Sequence, residues 1–297
     1  MNDDIVSLFC DVDDFCLEFE PIFNKHLIQD GHRKRIRKRK MALSEVMTII
    51  IWFHMLGYRT FKAYYTKEVM KHLRGEFPNL VSYNRFVELM GWALFPLCCY
   101  LEGKKGRCSG ISFIDSMSIS VCHNLRISSH RVFSSVAARG KNSVGWFYGF
   151  KLHLIVNDQG ELLAFHLTPG KVDDRKPVLK MVKGLFGKLF GDKGYISQEL
   201  FKLLYERGIV LVTRIRKNMK NKLMVIFDKL MLRKRAIIET IHDQLKNICQ
   251  IEHTRHRSVI NFLVNVVSAL IVYTYREKKP SLNIRVSDFC DLPAVIL

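Results

Sequence analysis

The sequence predicts a mixed α/β protein with a helical N-terminal portion, on three observations. Apolar residues recur at helical spacing through the first hundred residues. The stretch Gly103 to Gly110 (GKKGRCSG) then breaks that pattern with Gly, Lys and Ser, as a linker does. Beyond it, alternating strand-like runs are interspersed with helical ones in the order βββ, α, β, α, β, α. The expected division is a helical domain over residues 1–109, a sheet-bearing domain over 110–280 and a tail over 281–297.

The helices are expected at Ile5 to Phe23, Leu43 to Leu56 with Ser44 as N-cap, Phe61 to Leu73, and Ser82 to Tyr100. Ile111 to Cys122 alternates and reads as the first strand. Phe147 to Asn157 and Leu162 to Leu167 follow as two more, joined by the hairpin-type turn Asn157-Asp158-Gln159-Gly160. A helix from about Arg175 to Phe186, a short strand Lys188-Leu189-Phe190, a helix Gln198 to Glu206 and a strand Ile209 to Arg214 come next. A long helix from about Phe227 to Ile248 completes the order, giving a five-stranded mixed sheet flanked by helices.

Composition narrows the function. The chain has 297 residues, 48% of them hydrophobic, which is enough apolar side chain for a core and excludes a disordered basic tail. The longest strongly apolar run, Ile260 to Tyr275, carries Asn261, Asn265 and Ser268 and falls short of the roughly 20 residues of a bilayer span. It is expected to be a buried helix, with no membrane partner. The opening residues alternate apolar and acidic groups, unlike a signal peptide, so the expected location is cytoplasmic. Eight cysteines without a CxxC pair signal neither a zinc site nor a disulfide framework.

The formal net charge is +19. Residues 1–30 hold eight Asp or Glu against Lys25, a local −7 that leaves +26 for residues 31–297. A surplus of that size attracts polyanions, and nucleic acid is the expected partner. The densest run is Arg33, Lys34, Arg35, Arg37, Lys38, Arg39 and Lys40, a candidate phosphate-binding segment that could also be a solvated loop. Arg214, Arg216, Lys217 and Lys220 follow the last strand, in a loop expected to border a site at the strand ends.

Three acidic residues stand in unusual places. Asp115 is the only charge on the strand face Ile111, Phe113, Asp115, Met117, Ile119, Val121, where desolvating a carboxylate is expensive unless a cation compensates it. An ion pair with an Arg or Lys would satisfy it equally well. Asp192 follows a strand end inside Gly191-Asp192-Lys193-Gly194-Tyr195, which is a turn sequence and also the place where open α/β sheets bind ligands. Glu239 shares an arc of roughly 60° with Arg235, His242 and Lys246, opposite Ile237, Ile238, Ile241 and Leu245. An ordinary Arg235–Glu239 pair at i, i+4 would explain that face as well. Asp243 and Glu252 remain alternatives for the third acid, and His153 is a sheet histidine near the first acidic strand. Together, two strand-borne aspartates and a helix-borne glutamate would suit two Mg²⁺ ions, or Mn²⁺, in phosphodiester chemistry.

At these residues the sequence resembles the DDE transposases of bacterial insertion sequences, and specifically insertion-sequence family nine-eighty-two. FIDSMSISV resembles the first-aspartate strand, GDKGYIS the second-aspartate turn and RKRAIIETIHDQLK the glutamate helix. GWFYGFKLHLIVNDQGELLAFHLTPG and EHTRHRSVINFLVNVVSALIVYTY extend the resemblance over roughly residues 30 to 280. It implies an RNase-H-like catalytic fold, with Asp115, Asp192 and Glu239 holding two metal ions for strand cleavage at transposon ends and strand transfer. It also implies Arg235 and Lys246 on DNA phosphates, by a Tyr-Arg-Glu-Lys signature in which Leu232 stands at the Tyr position. Terminal inverted repeats, target DNA and a second copy of the chain are the implied partners. A metal-dependent nuclease without strand transfer, and a catalytically silent DNA-binding protein, are the rival expectations.

Overall fold

The computed structural model describes residues 4–30, 39–142, 144–215, 218–219, 223–252, 256–282 and 294–296. In chain order the helical elements come first: α1 (Ile5–Gln29), α2 (Leu43–Met55), α3 (Phe61–Tyr64), a π-helical turn (Tyr65–Val69), α4 (Met70–His72) and α5 (Tyr83–Gly103). The sheet region follows with β1 (Ile111–Cys122), β2 (Ala138–Lys141), β3 (Trp146–Asn157), β4 (Leu162–Pro169), α6 (Val178–Met181), β5 (Gly187–Gly191), α7 (Gln198–Tyr205) and β6 (Ile209–Thr213). The chain continues through β7 (Leu223–Val225), α8 (Ile226–Lys234), α9 (Ala236–Asn247), α10 (Val259–Thr274) and β8 (Ala294–Ile296).

These elements form two units, one of Met1–Lys104 with Leu245–Glu277 and one of Lys105–Gln244 with Lys278–Leu297. The sequence places residues 245–277 with the sheet, whereas in the structure they join the N-terminal helices. The reason is the composition of α10. Every residue from Val264 to Tyr273 is buried, so the helix needs cover on all sides, and α2 and α5 supply it. α5 is long and apolar enough to cross a bilayer by length and composition. Here its Phe86, Leu89, Met90, Ala93, Leu97 and Leu101 are buried in the helical unit. Ser44 is not the cap of α2: it lies buried inside the helix, and Ala42 stands at the N-cap with its N–H donating to Glu45 Oε2 at 2.7 Å.

In the second unit the sheet order is β2-β3-β1-β5-β6, with β4 also paired to β3. The first four strands pair antiparallel, and β1, β5 and β6 run parallel to one another. β2 and β4 share one side of β3, opposite Trp146–Gly149 and Phe150–Val156 respectively. The sheet therefore has six strands, one more than the sequence predicts. β2 escapes prediction because Ala138-Arg139-Gly140-Lys141 offers no alternating apolar face.

The antiparallel strands β1, β3 and β4, followed by the parallel strands β5 and β6 and with helices on the sheet, form the RNase-H-like arrangement, to which β2 adds a short edge pairing on β3. The hairpin turn forms at Asn157–Gly160 as expected. Asn157 Oδ1 accepts from the N–H groups of Gln159 at 3.0 Å and Glu161 at 2.8 Å, and Gly160 adopts φ +72°, where a Cβ would strike the Pro280 carbonyl. One sheet face is sealed by α6 and α7 through Ile114, Ile155, Leu189, Leu200, Leu204 and Leu211. α8 packs on β5 and β6.

Two further expectations change. The helix expected over 175–186 shortens to α6, because Pro177 sets its start and Gly184 at φ +76° lies just past its end. The long helix expected over 227–248 is two helices that meet at Arg235. The tail expected over 281–297 contributes β8, which pairs antiparallel with β7.

Candidate active site

β1 places Asp115 on the face it shares with Phe113 and Met117, opposite the face that Ile114 buries against α7. Phe113 stands beside Phe190 of the parallel strand β5, their rings 5.6 Å apart. Asp115 and Asp192 each lie two residues beyond that pair, so both chains bring a carboxylate to the same level at the C-terminal end of β5. Asp192 turns the chain there: its Oδ1 accepts from Gly194 N–H at 2.8 Å and caps a short 3₁₀ turn. The turn reading and the strand-end reading of this residue therefore describe the same place.

Glu239 comes from α9, and what links it to the strands is Arg235. The Arg235 guanidinium donates to Asp115 Oδ2 at 3.1 Å and to Glu239 Oε1 at 2.8 Å. Both ordinary readings of these acids, a compensated strand carboxylate and an i, i+4 helix pair, are thus present, and they share one cation. Arg235 sits at the break between α8 and α9, and Leu232 before it is buried. Nothing in Arg233-Lys234-Arg235-Ala236 disfavours helix locally, and the residue at the break is the one that reaches β1.

Electrostatics reflect the crowding of negative charge. Burial pushes the Asp115 carboxyl up to about 6; the Arg235 charge pulls it back only in part, and the Asp192 charge raises it further. Asp115 Oδ1 also accepts from Ser116 N–H at 2.9 Å. Tyr195, buried below the same turn, has a hydroxyl without a hydrogen-bond partner among the described residues. Burial, together with the charges of Asp115, Asp174 and Asp192, pushes the Tyr195 hydroxyl far above the usual phenol pKa, so it is a weaker acid.

The sequence reading missed Asp174. It lies beyond β4, accepts from Lys151 Nζ at 3.0 Å and stands 3.8 Å from His153 Nδ1. The run Val172-Asp173-Asp174-Arg175 at a strand end carried a signal for it. Its neighbour Asp173 is held well below the usual carboxylate range by its hydrogen bonds to the Arg175 side chain. His153 pairs across from Ser116 on β3, is fully buried, and its Nε2 meets Thr168 Oγ1 at 2.8 Å. Burial lowers it to about 4, so it is a neutral sheet histidine.

Of the other candidates, Lys246 Nζ pairs with Glu252 at 3.2 Å, which engages both that cation and one alternative acid. Arg214 donates to the Leu232 carbonyl at 3.3 Å, and Arg39 lies 3.3 Å over the Trp92 ring. Lys40 is exposed. Arg33, Lys34, Arg35, Arg37, Lys38, Arg216, Lys217 and Lys220 lie outside the described residues.

The donor chemistry suits a hard divalent cation: carboxylate oxygens, two of them at adjacent strand ends, one on a partly buried side chain whose charge is incompletely compensated. Among the described residues no three acidic, His or Cys groups stand close enough to hold such an ion as they are. Arg235 occupies the role of the cation between Asp115 and Glu239.

No curated protein matches the sequence. Among solved structures, the piggyBac transposase in a cryo-EM synaptic complex with hairpin DNA is similar over 85% of this chain and 72% of that one, at 11% identity and a TM-score of 0.47. The family of the transposase DDE domain matches residues 105–259, which span β1, β5, Arg235 and Glu239 and make up more than half of the sequence. On that match the chain belongs to the family of the transposase DDE domain.

Proposed function

We propose that this DNA transposase cleaves DNA strands at the ends of an insertion element and transfers them into target DNA, with Asp115, Asp192 and Glu239 as its catalytic acids. The observation that carries the reading is the placement of Asp115 and Asp192 at one level of adjacent strands, with Glu239 tied to Asp115 through Arg235. The family match supports the activity, and the basic surplus supports a DNA substrate.

Asp115, Asp192 and Glu239 would hold two Mg²⁺ ions, for which Mn²⁺ can substitute. Bound there, the ions would supply Lewis acidity toward a scissile phosphate and toward the attacking oxygen, water in cleavage or a 3′-hydroxyl in joining. The protein's own part is to aim these carboxylates and to offset part of the cost of the Asp115 charge. Asp115 is ionised at neutral pH because its carboxyl titrates at about 6, and Ser116 N–H fixes one of its oxygens. Arg235 holds Glu239 toward β1 and compensates Asp115. The N-terminal helical region with its basic run would grip the terminal inverted repeats, and two subunits would pair two ends. The bacterial insertion-sequence origin and a cytoplasmic, nucleoid-associated location belong to the same reading.

The test is strand cleavage and joining on a plasmid carrying the gene's native flanks, comparing wild type with Asp115→Asn, each with Mg²⁺ and with EDTA. Cuts at the flank ends and joined products only with wild type and Mg²⁺ are expected. Cuts without joining would establish a nuclease instead. DNA binding without any cut would establish a silent DNA-binding protein.

A further inference from the structure

The helical unit contains a cavity of about 420 Å³, within the range of small-ligand pockets. Its wall changes character with depth. Ile50, Phe53, Phe61 and Met90 are buried, whereas Thr60, Lys62, Asn84 and Arg257 are exposed. The exposed part also carries the first turns of two long helices, through Tyr83 and Asn84 of α5 and Asn261 of α10. Two helix N-termini and two cations make that rim favourable for a phosphate. Tyr83 adds an aromatic ring beside Lys62.

His54 supplies the chemical specificity. It lines the cavity, is 3% exposed, and its Nδ1 lies 2.7 Å from the Cys249 carbonyl oxygen. A carbonyl only accepts, so Nδ1 carries the proton and a neutral His54 leaves Nε2 as an acceptor. That Nε2 has no hydrogen-bond partner among the described residues. An occupant that satisfies it must offer an N–H or O–H, and one that fits the rest must be flat or apolar inside and anionic outside.

We propose that this cavity binds an unpaired nucleotide, its base turned inward with an exocyclic amine toward His54 Nε2 and its phosphate between Lys62 and Arg257. The inference rests on the DNA-handling function proposed above and adds a second nucleic-acid site to it. A base within paired duplex has its amine engaged, so the pocket selects a nucleotide that has left the helix or ends a strand.

The experiment is calorimetric titration of the full chain with deoxyadenosine monophosphate, its N6,N6-dimethyl analogue and deoxyribose 5-phosphate. Saturable binding of the first is expected, with affinity at least about tenfold weaker for the dimethyl analogue, which lacks the donor. Lys62→Ala and Arg257→Ala, both on exposed positions, should weaken the nucleotide and flatten its salt dependence. His54→Phe, if it folds, should equalise the two nucleotides. Absence of saturable binding at millimolar concentrations, or equal binding of all three probes, overturns the proposal. The same preparation is assayed for cleavage of duplex ends: cleavage without nucleotide binding removes this pocket's role alone, and nucleotide binding without cleavage removes the transposase reading while leaving the pocket.

Discussion

Replacing Asp115 with Asn should make the folded protein more stable at neutral pH, although it removes a proposed catalytic group. Asp115 titrates at about 6 in the folded chain against an ordinary value of 3.8. At about 1.36 kcal/mol per unit, ionising it costs the folded state roughly 3 kcal/mol relative to the unfolded chain. The folded state binds the extra proton between pH 3.8 and about 6, so this group's contribution to stability is full below 3.8, declines across that window, and stays at its lowest above it. Asn cannot ionise, and its side-chain oxygen can keep the bond from Ser116 N–H. In EDTA at pH 7.5, Asp115→Asn should therefore melt up to about 6 °C higher than wild type, and the difference should vanish near pH 3.5. Saturating Mg²⁺ should raise wild type and leave the variant unchanged. An Asn variant that melts at or below the wild-type temperature at pH 7.5, or a difference that persists unchanged at pH 3.5, would refute the reasoning.

Arg235→Gln should raise the Asp115 titration above about 6, since the guanidinium is its largest opposing charge; carboxyl carbon NMR in metal-free buffer checks it. Glu239→Gln should abolish strand cleavage with DNA affinity unchanged within about twofold, read by gel shift and plasmid nicking. The buried His54 and His153 and the half-buried His256, each lowered to about 4 by desolvation, should cost stability as pH falls from 6.5 toward 4, which is opposite in sign to Asp115; urea midpoints of Asp115→Asn across that range isolate them. Lys34→Ala should weaken DNA binding evenly across sequences and reduce its salt slope by about 1.

Much of the arrangement was legible in the sequence because it rests on local periodicity. The strand around Asp115, the Asn157–Gly160 hairpin and the helical N-terminal region each follow from side-chain alternation, turn chemistry or helical spacing, which a short window displays. The acids Asp115 and Asp192 stood out for the same reason, one as a charge on an apolar face and the other at a strand end. What a window cannot display is which surface covers which. α10 looked like the last helix of the sheet domain by position, and only the need to cover all its sides assigns it to α2 and α5. β2 has no apolar face and exists because β3 extends past β4 and offers unpaired backbone there. Arg235 showed the same limit in the candidate site. Sequence spacing paired it with Glu239, four residues away, but its second partner lies 120 residues earlier on β1. Charge and periodicity are properties of neighbouring residues, so the sequence determined most of the elements and showed the unusual positions of Asp115 and Asp192. The sharing of one cation by two carboxylates is a property of long-range packing, and only the tertiary structure decided it.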